Sequence, residues 1–151
     1  MIIAKTPYRI SFFGGGSDYP GWYKEHGGQV LSTTINKHNY ISCRYLPPFF
    51  DHNLRLVYSM VEQVKARSDI DHPSARAVLK FLNLEKDLEI HYDGDLPGRS
   101  GTGSSSSFTV GLLNTLYAYK GERINPKRLA EEAIHIEQNL IGETVGSQDQ
   151  I

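Results

Sequence analysis

The sequence predicts a mixed domain of about five strands and four helices. Two periodic runs and the link between them carry that prediction. Leu88-Glu89-Ile90-His91-Tyr92 has apolar residues at every second position, the pattern of a half-buried strand. Phe108 to Tyr119 sets Phe108, Leu112 and Leu116 on one stripe with Leu113 and Tyr117 beside it, the pattern of an amphipathic helix. The glycine–serine run Leu96 to Ser107 joins them, so it reads as a strand-to-helix connection. Its serines fall in the cap and first turn, where hydroxyls can satisfy free backbone N–H groups.

The other elements follow in chain order. Residues 2 to 13 read as extended, with Tyr8, Ile10 and Phe12 alternating against Arg9, Ser11 and Phe13, and Pro7 points to an edge strand or an irregular start. Gly14 to Pro20 is a glycine-rich turn, followed by a short helix over Trp22 to His26 that Gly27-Gly28 stops. Val30 to Ile35 and Tyr40 to Leu46 are strand candidates with Asn36-Lys37-His38 as the turn between them. Pro47-Pro48 closes the second, and Leu54 to Tyr58 is a further short strand. In residues 59 to 73, Val61, Val64 and Ile70 fit an interrupted helix. Ser74 to Leu84 reads as helix with Ala75, Val78, Leu79 and Leu82 apolar. Asn125 as N-cap and Pro126 at the first position start the last helix. Its inner stripe is Leu129, Ala133, Ile136 and Leu140, with Gln138 and Asn139 facing away.

Length and composition bound the function. A chain of 151 residues can bury one sizeable core. A net charge of -1, without a basic block, gives no electrostatic support for nucleic acid or a membrane surface as partner. The single cysteine, Cys43, excludes an internal disulfide and suits a reducing, cytoplasmic setting. It lies in an apolar run, where packing rather than nucleophilic chemistry is the expected role. The six histidines show no metal-ligand spacing. Walker, nucleophile-elbow and Cys-x-x-Cys patterns do not occur.

Four groups carry chemistry. In the loop, Gly98, Gly101 and Gly103 allow positive φ and close approach of a ligand, and the following helix offers free N–H groups and the positive end of its dipole. That combination suits phosphate; the plain alternative is a flexible connection into a capped helix. Glu137 sits on the apolar border of the last helix, where an unpaired charge is costly, so a cation or an arginine must partner it. Gly146-Ser147-Gln148-Asp149-Gln150 is an acidic turn, and Arg9 through Asp18 supplies a cation and a second glycine-rich turn. Phosphoryl transfer from a nucleotide needs such parts: N–H groups on phosphates, oxygen ligands for Mg²⁺, a base at the acceptor hydroxyl and a balancing cation.

The residues carry a resemblance. Pro7-Tyr8-Arg9-Ile10-Ser11-Phe12-Phe13-Gly14-Gly15-Gly16-Ser17-Asp18-Tyr19 resembles the first motif of the GHMP small-molecule kinases. Pro97 to Ser105 resembles the second, Pro-x-x-x-Gly-Leu-Gly-Ser-Ser, with Thr102 in place of leucine. Glu137 followed by Gly146-Ser147-Gln148-Asp149-Gln150 resembles the helix glutamate and Gly-x-x-Asp-Gln. The triple glycine with Thr34-Ile35-Asn36-Lys37 is similar to bacterial D-glycero-D-manno-heptose 7-phosphate kinases, which phosphorylate the anomeric hydroxyl. Gly15 and Gly16 stand where galactokinases carry a glutamate and a histidine.

That resemblance implies an α+β fold, a sheet covered by helices like the second domain of ribosomal protein S5. Residues 1–151 would be the N-terminal, ATP-binding domain, and the family's C-terminal ferredoxin-like domain has no counterpart in the sequence. It further implies ATP and Mg²⁺ as cofactors and a sugar phosphate as substrate. Pro97, Gly98, Arg99, Ser100, Gly101, Thr102, Gly103, Ser104, Ser105 and Ser106 would bind the nucleotide. Ser105 or Ser104 would hold Mg²⁺ with Glu137. Asp149 would act as base or positioner of the acceptor hydroxyl, with Arg9 beside it lowering that hydroxyl's pKa. Asp18, Gly15, Gly16 and Ser17 would bind substrate. The plain alternatives are a border salt bridge for Glu137, a solvated turn for Asp149, an exposed strand charge for Arg9 and an Asx turn for Asp18. Fucokinase- or galactokinase-like kinases, and a non-catalytic nucleotide or sugar-phosphate module, are the alternative functions. Half of such an enzyme is expected to expose apolar surface and to form homo-oligomers.

Overall fold

The computed structural model describes residues 1–98 and 100–151. Five strands form one sheet: β1 (Ile2–Phe13), β2 (Leu31–Tyr45), β3 (Leu54–Val57), β4 (Val61–Val64) and β5 (Leu88–Gly94). Their order across the sheet is β1-β2-β5-β3-β4. Only the β3–β5 pair is parallel. The helices are α1 (Pro20–His26), α2 (Pro73–Phe81), α3 (Ser104–Tyr119) and α4 (Pro126–His135), the last running straight into a π-helical segment, Ile136–Ile141. This is the α+β fold the motifs imply.

The core lies between one face of the sheet and the helices. Ile41, Cys43, Leu56 and Ile90 from the strands meet Val78, Leu79, Leu112 and Leu116 from α2 and α3. Cys43 is 1% exposed, and burial pushes its thiol up to about 12, so its role is packing. α3 is the central helix. Besides the predicted stripe it buries Ser107, Thr109, Gly111 and Thr115, so it is enclosed on most sides rather than amphipathic. Gly111 permits this: a Cβ there would come within 2.8 Å of Thr6 Oγ1 and 3.1 Å of Ile41 Cδ1 on the sheet.

Four expectations change. The predicted turn at Asn36-Lys37-His38 is absent, and β2 is a single strand of 15 residues. β1 pairs on both sides of that stretch, Pro7 with His38 and Arg9 with Thr34, and the extra residues of β2 form a bulge opposite Tyr8, next to Pro7, which has no N–H to donate. Val61 and Val64 belong to a strand, not an interrupted helix; their spacing suits either structure, and pairing with β3 decides it. The α2 helix stops at Phe81, because Asn83 takes a φ of 55°. In β5 the alternation misleads: Glu89 is as buried as Leu88 and Ile90, under Arg44 of β2 and Arg55 of β3, which flank it in register.

Candidate active site

The glycine–serine loop enters α3 at Ser104, as the sequence predicts. The cap is not a serine. Gly103 is the N-cap, in the left-handed region at φ 77°, and no side chain caps the helix. The hydroxyls go elsewhere: Ser100 pairs with Thr102 at 2.7 Å, Ser107 donates to the Ser104 carbonyl, and Ser106 turns into the protein. The first N–H groups of α3 are thereby left without side-chain acceptors. Such a helix start attracts anions. Ser105 is exposed at this end and Ser104 partly so, while Ser106 is buried. Pro97, Gly98 and Gly101 line the exposed approach. Arg99, expected in the same loop, lies outside the described residues.

Arg9 organises the space in front of that loop. Its backbone N–H donates to the Thr102 carbonyl at 3.1 Å and its Nη1 to the Gly101 carbonyl at 2.7 Å. Its Nε donates to Asp149 Oδ1 at 2.5 Å. Both side chains are mostly shielded, 17% and 21% exposed, so this is not a loose surface pair. Asp149 also packs against Gly103, where a Cβ would sit 3.2 Å from its Cγ. A cleft of about 290 Å³ opens here, lined by Arg9, Thr34, Thr102, Gly103, Asp149 and Gln150 among others. A larger hollow, about 900 Å³, lies between α2 and Leu140–Ile141, and none of the predicted site residues lines it.

Glu137 is the buried carboxylate of the site, with no exposed surface. Its partners differ from the expected pair. Ser106 Oγ donates to it at 2.8 Å, Thr109 Oγ1 at 2.7 Å, and the Gln150 side-chain amide also donates to it. The Ser104 and Ser105 hydroxyls are not among its hydrogen-bond partners in the described residues; the face of α3 that meets Glu137 is that of Ser106 and Thr109, one helical turn apart. Burial pushes the Glu137 carboxyl above the usual carboxylate range, and the three donors only partly offset it. Leu140, expected inward, is 50% exposed. The π turn explains this: one extra residue per turn shifts the register after Ile136, so Ile136 and Glu137 both point inward and Leu140 does not. Gln138, expected outward, bonds the Val145 carbonyl and Ser147 hydroxyl of the Asp149 turn.

The triple-glycine turn abuts the same turn. Gly14 and Gly16 adopt φ of 85° and 98°. Gly15 faces the Gln148 side chain, 3.9 Å from where its Cβ would be. Asp18 is 8% exposed and binds both turns, accepting from the Gly16 N–H at 3.0 Å and the Gln148 N–H at 3.2 Å. Gly146 is required there, since a Cβ would overlap the Asp18 carboxylate. The Ser17 hydroxyl is committed to backbone groups of Gly14 and Gln29. Sequence reasoning missed Thr109 and gave Gln150 no role. Thr109 follows Ser106 by one helical turn, the one signal that pointed to it.

The Glu137 carboxylate and the hydroxyl oxygens of Ser106 and Thr109 beside it are oxygen ligands of the type that a hard cation such as Mg²⁺ takes. The uncapped helix start suits the phosphates of ATP. An uncapped helix start, a shielded arginine–carboxylate pair and a buried glutamate thus lie on the three segments that the motifs mark. The chain belongs to the GHMP kinases: the family model described as GHMP kinases N terminal domain matches residues 55–151.

Particular relatives agree. A D-glycero-alpha-D-manno-heptose 7-phosphate kinase of Campylobacter jejuni is 28% identical over 160 residues, covering 99% of this chain and 47% of that protein. A galactokinase of Pyrococcus furiosus is 29% identical, with 99% and 42% covered. The crystal structure of a D-glycero-D-manno-heptose 1-phosphate kinase from Bacteroides thetaiotaomicron superposes with a TM-score of 0.84 at 22% identity, over 99% of this chain and 52% of that one. The chain therefore spans about half the length of the curated relatives it matches.

Proposed function

We propose that residues 1–151 form the nucleotide-binding half of an ATP-dependent sugar kinase. Its acceptor is the anomeric hydroxyl of D-glycero-D-manno-heptose 7-phosphate. The observation that carries this reading is the Arg9–Asp149 pair held against the loop that opens α3. In that arrangement N–H groups of residues 100 to 106 hold the nucleotide phosphates while Asp149 faces the acceptor hydroxyl. Asp149 takes or orients the hydroxyl proton as the oxygen closes on phosphorus, and Arg9 fixes the carboxylate and balances charge at the loop. Glu137, with Ser104 or Ser105 at the helix start, would hold Mg²⁺. When bound, Mg²⁺ neutralises charge on the transferring phosphoryl group. Asp18, Ser17, Gly15 and Gly16 form the substrate wall. Ser17 contributes its backbone rather than its committed hydroxyl, and the two bare glycines leave room for a sugar larger than galactose.

The heptose 7-phosphate kinase and galactokinase relatives support a sugar acceptor, and the triple glycine favours the heptose over a galactokinase-like choice. A cytoplasmic setting follows from that substrate; among the described residues no helix is long and apolar enough to cross a membrane. Catalysis needs the second, ferredoxin-like domain. Apolar residues exposed around the far end of β1 (Phe12, Phe13, Trp22 and Leu31) are where it would pack. The test is ATP consumption with heptose 7-phosphate, galactose and fucose, on the chain alone and on a protein extended to the family's length, beside light scattering. The expected result is heptose-dependent turnover in the extended protein, and no turnover with self-association in the 151-residue chain. Turnover with none of the sugars in the extended protein would leave a binding module instead.

A further inference from the structure

Asp149 sits in a turn, Gly146 to Ile151, without regular structure. Besides the Arg9 bond to Asp149 and the Gln138 contacts to Val145 and Ser147, two sets of contacts hold it in place. Before Asp149, the N–H groups of Ser147 and Gln148 donate to Asp18, fastening the turn to the substrate wall. After it, Gln150 is 4% exposed, and its Nε2 donates to Ser106 Oγ at 3.1 Å and to the Glu137 carboxylate. This second contact reaches the first turns of α3 from inside the protein, whereas Arg9 and Gly103 meet Asp149 at the mouth of the loop. The Gln150 amide oxygen has no donor among the described residues. The nitrogen side alone therefore fixes the orientation, by pointing at the carboxylate.

We propose that Gln150 is a positioning residue that sets the distance between Asp149 and the phosphate loop, through Glu137 and Ser106. This rests on the kinase reading for its consequence but not for its geometry. The neighbouring positions explain why a glutamine serves. A glutamate at 150 would face the Glu137 carboxylate, and an asparagine would be one methylene too short to reach both Ser106 and Glu137. The hold on Asp149 can be read at Arg9, whose Nε–H is buried in its bond to Asp149.

The experiment follows the Arg9 Nε–H signal by ¹⁵N NMR on this chain, with its exchange against solvent. Gln150→Met keeps the shape and removes the donor, and Nε–H exchange should then speed up at least tenfold. Glu137→Gln keeps an oxygen for Gln150 to bond, and exchange should stay within twofold. It is the control if Gln150→Met folds poorly, because Glu137→Ala should then reproduce the fast exchange. In a protein of family length, Gln150→Met should lower kcat with nucleotide KM unchanged, and adding it to Asp149→Asn should cost nothing more. Exchange unchanged in both Gln150→Met and Glu137→Ala would overturn the proposal. Absence of turnover in the wild type would overturn the kinase reading and leave the NMR result standing.

Discussion

Replacing Gly103 by alanine tests how closely the phosphate loop and Asp149 are fitted. Two costs can be separated. Gly103 has a φ of 77°, and an L-residue held in that region loses roughly 1–2 kcal/mol. The new Cβ would also stand 3.2 Å from Asp149 Cγ, 3.3 Å from its Oδ2 and 3.5 Å from Arg9 Cγ. Asp149 cannot yield freely, since Arg9 holds it at 2.5 Å, so overpacking adds about 1–2 kcal/mol. Gly101 is the natural control: its φ is 72°, but a Cβ there meets nothing within 4 Å. Gly101→Ala should therefore pay the backbone cost alone. For a chain of this size each kcal/mol shifts Tm by about 2–4 °C. Thermal unfolding should thus show a drop of roughly 2–8 °C for Gly101→Ala and roughly twice that for Gly103→Ala. Removing the obstacle with Asp149→Ala should recover about 1 kcal/mol in the Gly103→Ala background, a coupling a double-mutant cycle resolves. Equal losses at the two glycines, or no coupling to Asp149, would refute the close fit.

Two further outcomes follow from buried carboxylates. Burial pushes the Glu89 carboxyl up, but the His91 hydrogen bond and the charges of Arg44 and Arg55 outweigh it and hold the group below the usual range. Glu89→Gln should cost about 1–3 kcal/mol at neutral pH, discounted because Arg44 and Arg55 are 47% and 34% exposed. Because the folded-state pKa is depressed, this stability is present above the unfolded carboxylate value and is lost as pH falls through the folded one. Denaturant midpoints should therefore converge in acid, and a gap that persists unchanged at pH 2 would sink the assignment. Glu137→Gln should leave nucleotide affinity in EDTA within about twofold yet remove the tightening that Mg²⁺ brings, measured by calorimetry; an undiminished Mg²⁺ effect would remove Glu137 from the metal site.

The sequence made some of this legible and hid the rest for physical reasons. The loop from Pro97 to Ser107 could be read as a strand-to-helix connection because its geometry is local: glycines, a strand before and a helix after. Glu137 could be singled out because an acidic residue on an apolar border is anomalous within its own helix. Its partners could not be named. Thr109, Ser106 and Gln150 meet it only through packing of α3 against the π segment. The unbroken β2 was hidden in the same way. Asn36-Lys37-His38 is a good turn by local preference, and pairing with β1 on both sides overrides it. Glu89 looked solvent-facing by period, since alternation cannot register two arginines on neighbouring strands.

The π segment joins these observations. A regular α-helix through residue 141 would have kept Leu140 on the inner stripe with Ile136 and Ala133 and sent Gln138 to solvent. The widened turn gives up that apolar contact, leaving Leu140 half exposed. In return, Ile136 stays in the core while the next residue, Glu137, enters α3's polar flank, and Gln138 reaches back to Val145 and Ser147. The segment then closes at Gly142, with φ 79°, and the Glu143 N–H returns to the Glu137 carbonyl at 2.9 Å. Successive residues of one irregular turn thus place the buried carboxylate and brace the loop that carries Asp149. Such irregular turns are found mostly where polar groups must be arranged rather than where a core is packed. The π segment also accounts for the two misplaced residues of the last helix, Leu140 and Gln138, because the rule fails where the backbone departs from the α-helix that the rule assumes.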